Sequence, residues 1–120
     1  MRLRKPSRRR PFPGDPADAA GFHALAREFF EAQAMRGRTA RTVETYAQSL
    51  GYFVRWALER GLARPGEITR PMVERYQRHL FHYRKETGEA LSFSSQQYRL
   101  TAVQLFFRWL ARRRYIEASP

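Results

Sequence analysis

The sequence contains no cysteine and no hydrophobic run of membrane-spanning length. The absence of cysteine from its 120 residues excludes a disulfide framework and thiolate chemistry. The absence of a long hydrophobic run excludes a transmembrane helix, which needs roughly 20 consecutive apolar residues. The N-terminus also lacks the apolar segment of a secretory signal, because Arg8, Arg9 and Arg10 lead only into PFPGDPADAAGF. These absences predict a cytoplasmic protein with no membrane partner.

Acidic residues are scarce: 11 Asp and Glu stand against 23 Lys and Arg, for a net charge of +12. Residues 1–14 carry +6, residues 15–36 carry −2, and residues 37–120 carry +8. Such an excess favours a polyanionic partner, because each neutralised phosphate releases counterions. Since 21 of the 23 basic residues are arginine, a compositional bias that only keeps the protein soluble would give the same excess.

Motifs for catalysis, metal binding and phosphate binding are also missing. His79 and His82 share a helix face, but no carboxylate or thiolate completes a metal site. Gly66 and Gly88 stand alone and form no phosphate-binding loop. The serines have no paired base visible in the sequence. We therefore expect no enzymatic activity from this chain alone, and no cofactor, metal or small-molecule substrate.

Residues 1–17 predict a flexible basic arm, since the first 16 contain four prolines and six positive charges without apolar periodicity. Such an arm would either follow a phosphate backbone or be a mobile terminus without a partner.

The remaining pattern predicts an all-α fold of four helices packed as two hairpins. The first helix is expected from an N-cap at Asp18 to about Met35, and the second from an N-cap at Thr39 to Gly61. Thr69 is expected to cap the third helix, with Pro71 in its first turn and Ile68 and Val73 as a hydrophobic staple. The fourth is expected to run to Arg114, capped by Ser92 or by Ser94 in a capping box with Gln97. The 3.6-residue period predicts one apolar face on each helix. For the first to the fourth helix in turn, these faces are Phe22, Leu25, Ala26, Phe29 and Phe30; Val43, Tyr46, Ala47, Leu50, Phe53, Val54 and Ala57; Val73, Tyr76, Leu80 and Tyr83; and Leu100, Val103, Phe106, Phe107 and Leu110.

The second and fourth helices share a pattern at an offset of 53 residues. The matching pairs are Thr39 and Ser92, Thr42 and Ser95, Leu50 and Val103, Phe53 and Phe106, Trp56 and Trp109, and Arg60 and Arg113. Helix N-termini are favourable anion sites. Arg pairs with guanine and Gln with adenine in the major groove, while Ser and Thr suit phosphates. Thr39 is better explained as a cap, whereas Thr42, Ser95 and Gln96 lie one turn inside, where we expect that capping does not explain them.

The order and spacing of these features resemble the N-terminal core-binding domain of tyrosine recombinases, a family of phage integrases and Xer-type proteins. The matching pattern is Thr39-x-x-Thr42-x3-Tyr46-x3-Leu50-x2-Phe53-x2-Trp56, then EITRPMVERYQRHL, then Ser92-x-x-Ser95 leading to LFFRWLARRRYIEASP. The resemblance implies a SAM-like four-helix bundle over residues 18–116 that clamps one face of a recombination half-site. It also implies that residues 117–120 begin a linker to a catalytic domain absent here, since no His-x-x-Arg pair of the family is present. The family usually has Thr where Ser95 stands, a change that keeps the hydroxyl.

The residues and the resemblance together predict double-stranded DNA as the partner. The expected contacts are Arg38, Thr39, Arg41, Thr42, Thr45, Gln48, Arg84, Lys85, Ser94, Ser95, Gln96, Gln97 and Arg99. Trp56 and Trp109 are expected to pack in the core rather than stack on bases. The mildly acidic first helix is expected to face away from DNA and to meet another protomer, with Glu28 and Glu31 on a different surface from Arg41 and Gln96.

Two other interpretations compete with DNA binding by a recombinase domain. The arginines of a helical protein-interaction module could bind an acidic partner. A helix-turn-helix regulator would need a short recognition helix after a tight turn, which the long second and fourth helices disfavour.

Overall fold

A computed structural model describes residues 10–120 and contains four α-helices. They are α1 (Phe22–Met35), α2 (Ala40–Glu59), α3 (Arg70–His82) and α4 (Phe93–Arg112), with a short 3-10 turn at Pro65–Glu67. Over these 111 residues there is no β-strand, although Arg84 and Ala90 form an isolated antiparallel bridge in the α3–α4 loop. The predicted all-α fold is thereby confirmed. No helix in this part of the chain is long and apolar enough to cross a membrane.

The core is aromatic, and Phe53 of α2 lies at its centre. This side chain is 0% exposed. Its ring contacts Phe22 of α1 at 6.1 Å, Tyr76 of α3 at 4.9 Å and Phe107 of α4 at 5.9 Å between centroids. One residue of α2 therefore packs against all three other helices, as the apolar spacing predicts.

Three of the four helix starts agree with their predicted caps. Thr39 and Ser92 are the N-caps of α2 and α4, and Thr69 occupies the N-cap position of α3. The capping box of Ser94 with Gln97 is not formed, because α4 begins at Phe93. The prediction of Asp18 as a cap is wrong: α1 begins at Phe22 after Gly21. Residues 15–21 turn before the helix, and the Asp18 carboxylate instead pairs with Arg64 at 2.9 Å.

Three helices end in one left-handed residue followed by a six-to-one backbone hydrogen bond. Gly37 (φ +86°) and Gly61 (φ +78°) supply that residue after α1 and α2, and Gly61 is the predicted end of the second helix. After α4 it is Arg114, at φ +61°, and the Tyr115 N–H donates to Leu110 O at 2.9 Å. The fourth helix thus ends at Arg112 rather than Arg114.

The N-terminal segment is packed on the domain from Phe12 onward, earlier than the expected domain start at residue 18. The Phe12 ring lies 5.5 Å from Phe30 and 6.0 Å from His23, both on α1. Arg55 of α2 donates to Pro11 O at 3.3 Å. The part of the predicted arm up to residue 9 lies outside the described residues.

The shared pattern of α2 and α4 extends to their C-terminal halves. Arg60 lies over the Trp56 ring at 4.2 Å, and Arg113 lies over the Trp109 ring at 6.0 Å. Trp56 is buried and Trp109 is half-buried against Phe29, so both pack in the bundle as expected.

Tyr83 departs from the predicted core. It is the C-cap residue of α3, where the chain leaves the helix in an extended conformation, and it is 41% exposed. Its ring is directed toward α4, and this places it in the surface described next.

Candidate nucleic-acid interface

The N-terminus of α2 is closed by a pair of hydroxyls. Thr39 Oγ1 accepts from the Thr42 N–H at 3.1 Å and donates to Thr42 Oγ1 at 3.0 Å. A hydroxyl carries one donor and two acceptor sites, so the cap is satisfied within the chain while the Thr42 hydroxyl proton remains to be donated outward. The first turn has no acidic residue, which leaves the positive end of the helix dipole unopposed there.

The N-terminus of α4 repeats this arrangement. Ser92 Oγ accepts from the Ser95 N–H at 3.1 Å and donates to Ser95 Oγ at 3.0 Å. Its first turn also has no acidic residue. The expectation that capping does not explain Thr42 and Ser95 is therefore wrong, because each is the second member of a capping pair. The shared pattern of the two helices encodes two equivalent helix starts.

The Gln96 side chain forms a hydrogen bond within the domain, which the sequence did not indicate. Its side-chain nitrogen donates to Leu91 O at 3.1 Å, which ties the first turn of α4 to the preceding loop. Adenine recognition requires a free amide that both donates and accepts. Of the two glutamines in this turn, Gln97 is the exposed one.

A polar stripe runs along α2 from its first turn. It comprises Arg41, Thr45, Gln48 and Tyr52, which are all exposed and are spaced by four, three and four residues on one helix face. The Thr45 hydroxyl donates to Arg41 O at 2.9 Å, and the Gln48 amide donates to Tyr52 Oη at 3.4 Å. The stripe therefore places the predicted α2 contacts side by side.

Arg99 connects this stripe to α4. Its guanidinium carbon lies 3.8 Å from the centroid of the Tyr52 ring and 5.9 Å from that of Tyr83. Such stacking is attractive because the ring face is electronegative. The α2 stripe, the second turn of α4 and the end of α3 therefore meet at one arginine.

The α3–α4 loop beside this point carries Arg84 and Lys85. Arg84 donates to Phe81 O at 3.3 Å and Tyr83 O at 3.0 Å, which satisfies carbonyls at the end of α3. The Lys85 backbone N–H donates to Glu89 O at 2.8 Å. Arg84 is therefore partly engaged in capping, and the exposed Lys85 ammonium extends from a closed turn.

His79 adds no positive charge to the surface at pH 7. Burial lowers the pKa of His79, and the positive charge of Arg60 acts in the same direction. His79 is therefore neutral at pH 7, and it stacks on Tyr76 at 6.0 Å. Burial raises the pKa of Tyr76, whose phenol stays protonated in the core.

Glu28 of α1 lies away from the first turn of α4. Glu28 accepts from the Tyr115 hydroxyl at 3.0 Å, just beyond the C-terminal end of α4. Gln96 lies in the first turn of the same 20-residue helix, about 25 Å away at 1.5 Å per residue. The separation expected between Glu28 and Gln96 is thus present.

Comparison with known proteins identifies the domain. The model of the phage integrase N-terminal SAM-like domain matches residues 25–117. The chain belongs to this family. It is 44% identical to "Tyrosine recombinase XerC 2" of Ralstonia nicotianae over 91 residues. This stretch covers 76% of this chain and 26% of that protein. The chain is 31% identical to "Tyrosine recombinase XerC" of Xylella fastidiosa over 85 residues. That alignment covers 71% of this chain and 27% of the relative. No solved structure matches.

The SAM-like domain therefore spans about a quarter of the length of these recombinases. Its fold and family agree with the resemblance seen in the sequence. Contact of the predicted residues with DNA stays a prediction, and Arg38, Ser94, Gln97 and Lys85 are exposed where such contact would require them.

Tyr52 and Tyr83 are the members of this surface that sequence reasoning missed. Tyr83 was expected in the core, and Tyr52 was not among the expected contacts. The available signal was the position of Tyr52 four residues after Gln48, on the polar rather than the apolar face of α2.

Proposed function

We propose that this SAM-like domain binds double-stranded DNA and holds one face of a recombination half-site. The whole protein would be a site-specific tyrosine recombinase that acts in DNA integration or recombination in the cytoplasm. The observation that carries the proposal is the surface shared by α2 and α4. The two helices begin with identical caps, and the Tyr52–Arg99 stack joins the fourth turn of α2 to the second turn of α4, in a chain of the integrase family.

The chemistry of this surface suits duplex DNA. Hydroxyls and free backbone N–H groups at helix starts bind phosphates, and Arg41, Gln48, Gln97 and Arg99 carry the side-chain groups that read base edges. Among residues 10–120, the ion pairs of Arg60 with Glu59 and of Arg64 with Asp18 lie outside this surface.

The outer face of α1 is the proposed contact with a neighbouring protomer. It carries exposed Arg27, Glu28 and Glu31 and lies away from the first turn of α4. Opposite charges on one helix face suit a reciprocal contact between like subunits better than a contact with DNA.

Fluorescence anisotropy of a labelled duplex, measured between about 50 and 200 mM salt, tests DNA binding. The affinity should fall linearly on logarithmic axes, and Arg41→Gln should reduce the slope by about 0.9, the value of one phosphate contact. Arg27→Gln removes the same charge from α1 and should leave the slope unchanged.

Polyglutamate serves as the competitor that separates DNA binding from recognition of an acidic protein. A DNA-binding domain should retain the duplex in its presence. Equal binding of polyglutamate and duplex, or identical effects of Arg41→Gln and Arg27→Gln, would instead support the protein-interaction module.

A further inference from the structure

Arg99 is held in an unusual state for a surface arginine. Its side chain is half-buried, and its guanidinium lies between the rings of Tyr52 at 3.8 Å and Tyr83 at 5.9 Å. None of the hydrogen bonds found among residues 10–120 involves its five N–H donors. None of its nitrogens is among the buried side-chain atoms of residues 10–120 that lack a partner, so its donors reach solvent. An acceptor outside the chain can therefore bind the edge of the guanidinium.

The ring that supports Arg99 is itself held in place. Tyr52 follows Gln48 by one helical turn, and the Gln48 amide donates to its hydroxyl at 3.4 Å. Tyr52 has only two side-chain torsions, and the α2 helix fixes its backbone. The plane of the Arg99 guanidinium is therefore set before any partner binds, which lowers the entropy lost on binding.

We propose that Tyr52 is a positioning residue that orients Arg99 to read a guanine in the major groove through its O6 and N7 atoms. The inference rests on the proposed function and deepens it, because it assigns the domain a base preference and a residue responsible for it. Arg99 donates two parallel hydrogen bonds to the guanine, and Tyr52 contacts only Arg99.

A guanine explains the geometry better than a phosphate does. The phosphate-binding groups of this surface are at the helix starts, in the first turns of α2 and α4. Arg99 lies in the second turn of α4 and contacts Tyr52 of α2, whose hydroxyl accepts from the Gln48 amide. A phosphate accepts hydrogen bonds from many directions, whereas the O6 and N7 atoms of guanine require a planar fork at a set angle. Fixing the plane of the fork therefore matters more for a base than for a phosphate.

Selection from a library of duplexes with randomised bases tests the proposal with the full chain. The wild-type domain should select guanine at one position, with a preference of roughly 5- to 150-fold. Arg99→Lys keeps the charge but not the planar fork, so it should weaken this preference while keeping the salt dependence. Tyr52→Leu should weaken the preference several-fold, and Tyr52→Phe, which retains the ring but loses the hydrogen bond from Gln48, should weaken it less.

Replacing the selected guanine with 7-deazaguanine removes only the N7 acceptor. It should reduce the affinity of the wild-type domain and leave that of Arg99→Ala unchanged. Thermal unfolding of each variant shows whether the fold is intact, and Tyr52 is 37% exposed, so its replacement should be tolerated.

Two results would overturn the inference while leaving the proposed function standing. One is salt-dependent binding by the wild-type domain without any guanine preference. The other is a loss of affinity in Arg99→Ala that is equal for all sequences and lowers the salt slope by about 0.9, which would assign Arg99 to a phosphate. Absence of salt-dependent duplex binding by the wild-type domain would contradict both.

Discussion

Replacement of Phe53 by alanine should remove the contact that joins all four helices. The side chain is 0% exposed, and its ring lies within about 6 Å of rings on α1, α3 and α4. Truncation of a buried Phe costs about 3–5 kcal/mol in lost transfer free energy and residual cavity. Because three interhelical aromatic pairs are lost as well, we expect the upper part of this range. The total stability of a domain is about 5–15 kcal/mol.

Urea denaturation followed by far-UV circular dichroism measures this loss. The midpoint should fall for Phe53→Ala with little change in slope, since the surface exposed on unfolding stays similar. Phe81→Ala is the matched control: that ring is 63% exposed, and its removal should change the free energy of unfolding by less than about 0.5 kcal/mol. A loss below about 2 kcal/mol for Phe53→Ala, or equal losses in both variants, would refute the central role of Phe53.

Three further predictions concern the caps and two titrating groups. Thr39→Ala and Ser92→Ala should each lower the free energy of unfolding by about 1 kcal/mol, while Thr39→Ser stays close to wild type in the same urea assay; a neutral Ser92→Ala would contradict the equivalence of the two caps. The hydrogen bond from Arg64 lowers the pKa of Asp18, so this pair stabilises the fold above the unfolded pKa of Asp and ceases to do so as the pH falls through the folded value. As the pH is lowered, the free energy of unfolding should therefore fall more for wild type than for Asp18→Asn. If the two proteins lose stability in parallel, the Asp18–Arg64 pair does not contribute to it. The pKa of His79 is lowered mainly by burial, so the unfolded chain takes up the proton first and stability falls as the pH drops below about 6.5. His79→Gln should lose less stability over that interval, and an NMR-measured pKa of His79 above the ordinary value would reverse the sign.

The fold follows from local sequence signals that agree with the packing. Phe53, Phe106 and Leu110 lie on apolar stripes with helical spacing, and all three are fully buried. Gly37 and Gly61 mark helix ends because a left-handed residue is required there. These features depend on neighbours within one or two turns, which is why the sequence is sufficient to predict them.

The errors arise where a distant residue decides the local structure. Asp18 has the side chain of an N-cap, but Arg64, which lies 46 residues later, takes its carboxylate. Tyr83 continues an apolar period, but α3 ends at His82 and the ring lies against α4 instead. Neither partner can be identified from spacing along the chain.

The candidate site was predictable in its location but not in its internal contacts. The shared pattern of α2 and α4 indicated the two helix starts, and the structure shows that the hydroxyl at the third helical position completes each cap. The stack of Arg99 on Tyr52 joins α2 to α4 through two residues 47 positions apart in sequence. Only the packing of the helices brings that pair together.

An NMR titration of the domain with a short duplex at two salt concentrations tests the central claim most directly. The account predicts shifts at residues 38–52 and 92–99 that become smaller at the higher salt concentration, with the outer face of α1 around Arg27 unaffected. Shifts confined to α1, or shifts of equal size at both salt concentrations, would contradict the assignment of this surface to DNA.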